Sequence, residues 1–243
     1  MEQVYEQQMT VGPGDCDISG RLSYHDSIRL FVDSAAAHAE HLDCGLGRMR
    51  EKKYFWLTVK TKAEFTVRPR MGERFTLRTW PEVPGKLRCI RSYEIVSAQG
   101  ERMIAGKTEW AVMDLESGRL VPMEGIYGAG LSFTEPTACP APFAHVPEKA
   151  EDYEAYAEYT VRSTDIDMGR HMNNVAYVRT LLGSFSNEAL KQMRLRSMDV
   201  IYRTPCFEGE TLRLLRRKTE AGTDVCFLTE RGPVFLAHLE GTP

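Results

Sequence analysis

Two stretches of the 243-residue chain superpose without a gap at an offset of 150 residues. GDCDISGRLSYHDSIRLFVDSAAAH begins at Gly14 and TDIDMGRHMNNVAYVRTLLGSFSNEA at Thr164, which sets Asp15 on Asp165, Asp17 on Asp167 and Leu22 on Met172. Beyond this loop, Ile28, Phe31, Val32, Ala35 and Ala39 fall on Val178, Leu181, Leu182, Phe185 and Ala189. Both sets carry the i, i+3, i+4, i+7, i+11 spacing of one buried helical stripe. The helix starts agree as well. Ser23 with Asp26 three residues on reads as a capping box, and Asn173 stands at the matching N-cap. Chance supplies one amphipathic helix readily; the same loop in the same register twice implies a duplicated structural unit.

The segments after the two helices also repeat. WLTVKTKAEFTVRPRMGERFTLRTW alternates as a strand does, breaks at Pro69 and Gly72, and resumes at Arg74. MDVIYRTPCFEGETLRLLRRK breaks at Pro205 and Gly209. Further strands come next in both halves, with turns at Gln99-Gly100, Ser117-Gly118 and Glu230-Arg231-Gly232. Each half therefore reads as an initial strand, one helix, then three or four antiparallel strands, an α+β arrangement of one long helix against a curved antiparallel sheet. Residues 124–149 carry Pro136, Pro140, Pro142 and Pro147 and read as a linker or surface strap. The expected organisation is 1–123, a linker at 124–149, and 150–243.

Composition narrows the class. With 31 Lys+Arg against 34 Asp+Glu and a net charge of −3, the basic imbalance of a nucleic-acid binder is missing. No apolar run approaches the roughly 20 residues of a membrane span. The N-terminal MEQVYEQQMTVGPGD has neither a basic cap nor an apolar segment, so the expected address is cytoplasmic. The six cysteines form no C-x-x-C pair and no zinc-finger spacing, and are read as reduced thiols, with no metal site.

The repeat, the D-I-D-x-x-x-H-M-N-N-V-x-Y-V run from Asp165 and the E-F-x-V-R-P-R-M-G-E-x-F-x-L-R-T-W-P run from Glu64 together resemble acyl-acyl-carrier-protein thioesterases, from about Tyr5 to the chain end. The resemblance implies two tandem hotdog units, each a long helix wrapped by a curved antiparallel sheet. It implies hydrolysis of the thioester between a fatty acyl chain and the phosphopantetheine arm of acyl carrier protein, with no cofactor. The second half would carry catalysis and the first would shape the acyl pocket. Around the second helix the family pattern is Asp-x-Asn-x-His, with a Glu and sometimes a Cys on a later strand. Asp167 and His171 match; Gly169 stands in the Asn position; Cys206 is kept; Pro205 stands in the Glu position.

Thioester hydrolysis needs an activated water, donors for the oxyanion and a dry slot for the chain. The run from Asp167 to Asn174 lies just before a helix, whose free N–H groups and partial positive charge can join such a site. His171 is the first candidate, as donor or base, against a structural histidine at a helix start. Asp167 would orient it or polarise water, against a cap or turn role. Asn173 reads as the N-cap with a secondary role in binding substrate, and Asn174 as a group within reach of it. Cys206 would be a nucleophile only with a lowered pKa; otherwise it is a buried strand cysteine. Glu208 reads as a turn residue. Phe31, Val32 and Ala35, with Ala36, are candidates for the acyl slot. His38 and His41 are expected to be exposed or interfacial. Nine Lys/Arg between 60 and 91 suggest a basic face that would steer an acidic carrier protein. Coenzyme A esters are the alternative substrate, and a catalytically weak acyl-binding module the alternative class. Both monomer and homodimer fit.

Overall fold

Ser23 starts the first long helix as expected: its side chain accepts a hydrogen bond from the Asp26 N–H at 3.0 Å. The reciprocal half of the capping box is not made. The Ser23 N–H goes instead to the Asp15 carbonyl at 2.8 Å, and the Asp26 carboxylate takes the Ser23 hydroxyl at 2.6 Å. The cap is thereby tied to the preceding loop rather than closed on itself.

This is a computed structural model, and it describes residues 2–128, 130–149 and 152–242. The chain divides into two compact units, one of Met1–Cys16 with Gly20–Ala141, the other of Asp17–Ser19 with Pro142–Pro243. The change of unit thus falls within the segment read as a linker. The expected start of the second half, residue 150, lies outside the described residues.

In the first unit, β1 (Tyr5–Thr10) leads through a 3-10 turn to α1 (Tyr24–His41), a short α2 (Leu46–Glu51), and strands β2 (Tyr54–Phe65), β3 (Arg74–Pro81), β4 (Cys89–Ser97), β5 (Arg102–Asp114) and β6 (Leu120–Val121). The strands are antiparallel in the order β1-β3-β4-β5-β2, with β6 on β5. The second unit runs β7 (Glu154–Thr160), a 3-10 turn, α3 (Asn174–Gly183), α4 (Asn187–Gln192), then β8 (Arg194–Tyr202), β9 (Thr211–Lys218), β10 (Gly222–Thr229) and β11 (Gly232–Thr242). Its order, β8-β11-β10-β9-β7, is the same arrangement read strand for strand. The α+β fold with its long helix against antiparallel strands is therefore built twice. The short α2 and α4 had no distinct sequence signal.

On α1, Ile28, Phe31 and Ala35 are buried, and Val32 and Ala39 are half-buried. Phe31 stacks on Tyr93 of β4 at 4.5 Å between ring centroids, with 14° between planes. It also presses against β5 at Gly106, where a Cβ would stand 2.3 Å from Phe31 Cε2. Only glycine lets the helix approach so closely. Emptying such a site, Phe31→Ala, costs about 3–5 kcal/mol in comparable cores. The matching stripe is shorter than expected. Val178, Leu181 and Leu182 are buried on α3, but the helix ends at Gly183, and Ala189 belongs to α4. Gly183 and Ser184 favour termination, and Ser186 starts a new helix by accepting from the Ala189 N–H at 3.2 Å.

The proline-rich segment lies against each sheet. In the first unit, the Pro136 carbonyl accepts from Trp80 Nε1 (3.0 Å), the Ala138 N–H donates to Ser92 Oγ (2.9 Å), and Lys107 Nζ donates to the Ala141 carbonyl (2.6 Å). In the second, the Ala144 N–H donates to Asp199 Oδ1 at 2.9 Å, and Val146 joins an apolar cluster with Ile201, Leu215, Cys226 and Leu236.

Two expectations are corrected here. His38 is not exposed but buried within the first unit; only His41 is exposed. The basic stretch is exposed only in part, at Arg70, Arg74, Lys86 and Arg88. Lys62, Arg68 and Arg91 are buried, Arg78 pairs with Glu6 and Glu94, and Arg88 pairs with Glu109. Burial and carboxylates on other strands consume part of what linear counting treats as free charge. Among the described residues, no helix is long and apolar enough to cross a membrane.

Candidate active site

The loop before α3 hangs on a buried carboxylate. Asp165 accepts from the Arg162 N–H (2.9 Å), the Tyr159 hydroxyl (2.7 Å) and Arg179 Nη2 (2.7 Å), while its carbonyl takes the Asn173 N–H at 2.8 Å. Burial alone would push this carboxyl up; the Arg162, Tyr159 and Arg179 hydrogen bonds outweigh it and hold the group below the usual range. The first unit repeats the device 150 residues earlier. Asp15 accepts from the Gly12 N–H (2.9 Å) and Arg29 Nη2 (2.7 Å), and its carbonyl takes the Ser23 N–H. The first aspartate of the repeat is therefore structural in both copies. Sequence reasoning aligned the two aspartates but missed their arginines, although Arg29 and Arg179 stand 14 residues on in each copy.

The second aspartate closes the loop that presents the candidate groups. Asp167 Oδ1 accepts from the Gly169 N–H at 2.7 Å, and Oδ2 from Asn173 Nδ2 at 3.2 Å. The backbone returns on itself, Asp167 N–H to the His171 carbonyl (3.2 Å) and Arg170 N–H to the Asp167 carbonyl (2.9 Å), with Arg170 in the left-handed region at φ 61°. Its tip is exposed at Met168. His171 is half-buried and meets the Met172 carbonyl through Nδ1 at 3.3 Å; among the described residues its Nε2 has no hydrogen-bond partner.

Gly169 shows how close the two candidates come. A Cβ built there would stand 2.9 Å from Asp167 Oδ1 and 3.0 Å from His171 Nε2. A carboxylate oxygen and a free imidazole nitrogen thus border the same small space, on the side where the family pattern has an asparagine. Asn173 caps α3, accepting from the Val175 N–H at 2.7 Å, so its amide is engaged at both ends. Asn174 opens α3 and is half-buried; its carbonyl accepts from the Tyr202 hydroxyl at 3.2 Å, and its side chain makes no hydrogen bond among the described residues.

Cys206 stands close in the chain's folding but in another capacity. Its carbonyl accepts from the Met172 N–H at 2.7 Å, its N–H donates to the Tyr177 hydroxyl at 3.1 Å, and its side chain is fully buried. Burial, above all, pushes the thiol up to about 11. A protonated, enclosed thiol is not the lowered-pKa nucleophile that the catalytic reading requires. The counterpart of Cys206 is Pro69, whose carbonyl takes the Leu22 N–H at 2.8 Å. The two proline breaks are accordingly one residue out of register: Pro205 corresponds to Arg68, and Gly209 and Glu210 to Gly72 and Glu73. Glu210 and Glu73 do the same work, accepting from the N–H of Phe207 (3.0 Å) and of Arg70 (2.8 Å). Glu208 is an exposed turn residue. Phe31, Val32 and Ala35 belong to α1 of the first unit. Among the described residues, no group of three or more His, Cys, Asp or Glu side chains is placed to hold a metal ion.

Comparison with known proteins agrees with this duplicated architecture. The family model of the acyl-ACP thioesterase N-terminal domain matches residues 2–128, and that of the C-terminal domain residues 148–230. A chloroplastic acyl-[acyl-carrier-protein] hydrolase of Cuphea viscosissima is 23% identical over 86% of this chain and 53% of its own length. A chloroplastic palmitoyl-acyl carrier protein thioesterase of Arabidopsis thaliana is 25% identical over 79% of this chain and 47% of its own. The chain thus spans about half the length of the curated relatives it matches. Among solved structures, an acyl-ACP thioesterase from Bacteroides thetaiotaomicron superposes with a TM-score of 0.89 at 20% identity, covering 98% of this chain and 97% of that one. A 12:0-ACP thioesterase from Umbellularia californica gives 0.81 at 16% identity, covering 99% and 97%. With one family model covering more than half of its residues and its companion most of the rest, this chain belongs to the acyl-ACP thioesterase family.

Proposed function

We propose that the chain hydrolyses the thioester of a fatty acyl-acyl-carrier protein to free fatty acid, with Asp167 and His171 as the catalytic pair. The observation that carries this reading is the shared space at Gly169, bordered by Asp167 Oδ1 and His171 Nε2. A water there donates one hydrogen bond to the carboxylate and gives its proton to the imidazole as its oxygen attacks the thioester carbonyl. The tetrahedral intermediate then expels the phosphopantetheine thiolate, which takes the proton back from His171. Asn174, at the first turn of α3, supplies an amide donor beside the helix N-terminus for the oxyanion. Cys206 has no nucleophilic part in this scheme and instead ties the loop to the start of α3. The chemistry is assigned to residues 150–243.

Thiol release from acyl-acyl-carrier protein, run beside the matching acyl-coenzyme A, tests the proposal. Faster turnover of the carrier-protein ester is expected, with His171→Ala slower by at least tenfold at unchanged melting temperature. Preference for the coenzyme A ester would reassign the substrate. Release from neither would leave an acyl-binding protein in place of an enzyme.

A further inference from the structure

The two copies of the Asp-x-Asp loop differ at one backbone position. Gly20 and Arg170 correspond, and both adopt the left-handed region, at φ 69° and φ 61°. Glycine takes that conformation freely, whereas a residue with a Cβ is strained in it. Among the described residues, the other non-glycine cases are Asp43 and Lys53. Each stands two residues past the end of a helix, α1 and α2, where a left-handed residue is a common stop. Arg170 ends no helix. Directly before His171, the second copy keeps a strained arginine where the first copy has glycine, and strain of this kind gathers where a side chain is used.

What this side chain offers is an unpaired cation. Arg170 is exposed, and among the described residues its guanidinium has no hydrogen bond and no ion pair. Its surroundings change in the same sense. On α1, Arg29 is held by Asp15, Asp26 and Asp33 at 2.7, 2.7 and 3.0 Å. Its counterpart Arg179 keeps Asp165 alone among the described residues, because Ala176 and Gly183 stand in place of the other two carboxylates. The Arg179 side chain is accordingly 54% exposed, against 35% for Arg29. Arg162, also exposed, stands where the first copy has Gly12. The arginine that the second copy gives up, Arg21 at the position of His171, is engaged with the Arg68 carbonyl at 2.6 Å.

A guanidinium with its donors free matches the oxygens of a phosphate two at a time, and neighbouring cations raise the local concentration of such an anion. We propose that Arg170 grips the phosphate of the phosphopantetheine arm, with Arg162 and Arg179 adding to the positive potential around the loop. The identity of the anion rests on the hydrolase reading. The arm that brings the thioester to His171 carries phosphate at its other end, so the two groups arrive on one tether. Carrier protein and coenzyme A share this feature.

Calorimetric titration of the full chain with two non-hydrolysable thioethers, S-decyl-phosphopantetheine and S-decyl-pantetheine, isolates the phosphate and needs no turnover. The phosphorylated compound is expected to bind at least fivefold tighter, with an advantage that shrinks as salt is added. Arg170→Gln should abolish the difference while leaving the affinity for S-decyl-pantetheine as it was. Arg170→Gly should do the same at an equal or higher melting temperature, since it restores the residue of the first copy. A phosphate preference that survives in Arg170→Gln overturns the proposal. So does weaker binding of the apo carrier protein, which has no arm, by Arg170→Gln without any phosphate preference in the wild-type chain; that result would assign the arginine to carboxylates of the carrier. Equal binding of the two thioethers overturns this inference alone, whereas binding of neither overturns the hydrolase reading with it.

Discussion

Asn173 donates from Nδ2 to Oδ2 of Asp167 at 3.2 Å while its own Oδ1 caps the first turn of α3. One side chain therefore sets both where the helix begins and how the candidate carboxylate is turned. The two roles separate under mutation. Asn173→Ala loses both, and should cost about 1 kcal/mol of stability together with a tenfold or larger fall in kcat. Asn173→Asp keeps a good cap but places a second carboxylate against Asp167. Near-normal melting with depressed kcat is expected for it, and a fully active Asn173→Asp would show that Asp167 needs no such orientation.

Gly169 is a second point where shape decides. Its missing Cβ would stand 2.9 Å from a carboxylate oxygen and 3.0 Å from an imidazole nitrogen. Both contacts are shorter than ordinary van der Waals separation, so even alanine has to displace Asp167 or His171 and fills the space assigned to water. Gly169→Ala should lower kcat by about tenfold to a hundredfold, the scale on which small misplacements act. Gly169→Asn, which installs the family's residue, should do no better. Activity raised by that substitution would mean that the loop relaxes and that the side-chain amide, not the water space, is what this site lacks.

Cys206 offers a discriminating negative. With its thiol pushed up to about 11 by burial, only about one molecule in ten thousand carries the thiolate at pH 7. Cys206→Ala should retain most of the kcat and lose at most about 1–2 kcal/mol of stability for the small buried volume. Iodoacetamide should leave the native protein active. Loss of turnover in a well-folded Cys206→Ala protein would restore the nucleophile reading.

Much of the duplication was legible because it rests on local chemistry repeated at fixed spacing. The N-caps at Ser23 and Asn173, the paired Asp15 and Asp165, and the apolar stripe of α1 all derive from short-range rules. The failures share a cause too. The stripe on the second helix was carried past Gly183 because periodicity records apolar residues whether or not one helix holds them. The glycine and serine that end α3 were outweighed in that reading. The basic run from Lys60 to Arg91 looked like a face because strand alternation reveals which residues share a side, not what covers that side. Here the strap at Ala141 holds Lys107, the cross-strand partner of Lys62, and Glu6, Glu94 and Glu109 reach Arg78 and Arg88 from other strands, Glu6 from 72 residues away. The proline breaks differ in spacing by one residue because the matched feature is a carbonyl, of Pro69 in one copy and Cys206 in the other, and a carbonyl has no sequence signature.

His38 gives the protein a pH dependence that the sequence does not announce. The imidazole lies between the Tyr5 ring, 5.5 Å away centroid to centroid, and Arg91, with His41 also nearby. Burial first, and then the neighbouring guanidinium, push its pKa down to about 4 from an ordinary 6.5. Above pH 6.5 the imidazole is neutral in both folded and unfolded chains, and its full contribution to stability is present. As the pH falls from 6.5 toward 4, the unfolded chain takes up a proton that the folded one refuses, so stability drops, and the loss levels off below pH 4. The whole effect amounts to about 3 kcal/mol. His38→Gln keeps an acceptor for Arg91 and a donor for Glu2 but cannot titrate. In urea unfolding between pH 7 and 4, the wild-type chain should therefore lose about 3 kcal/mol more than this variant. The depressed carboxyls of Asp165 and Asp224 act in both proteins alike and cancel in the comparison. Parallel stability curves would mean that His38 is protonated in the folded state, with its ring turned away from Arg91.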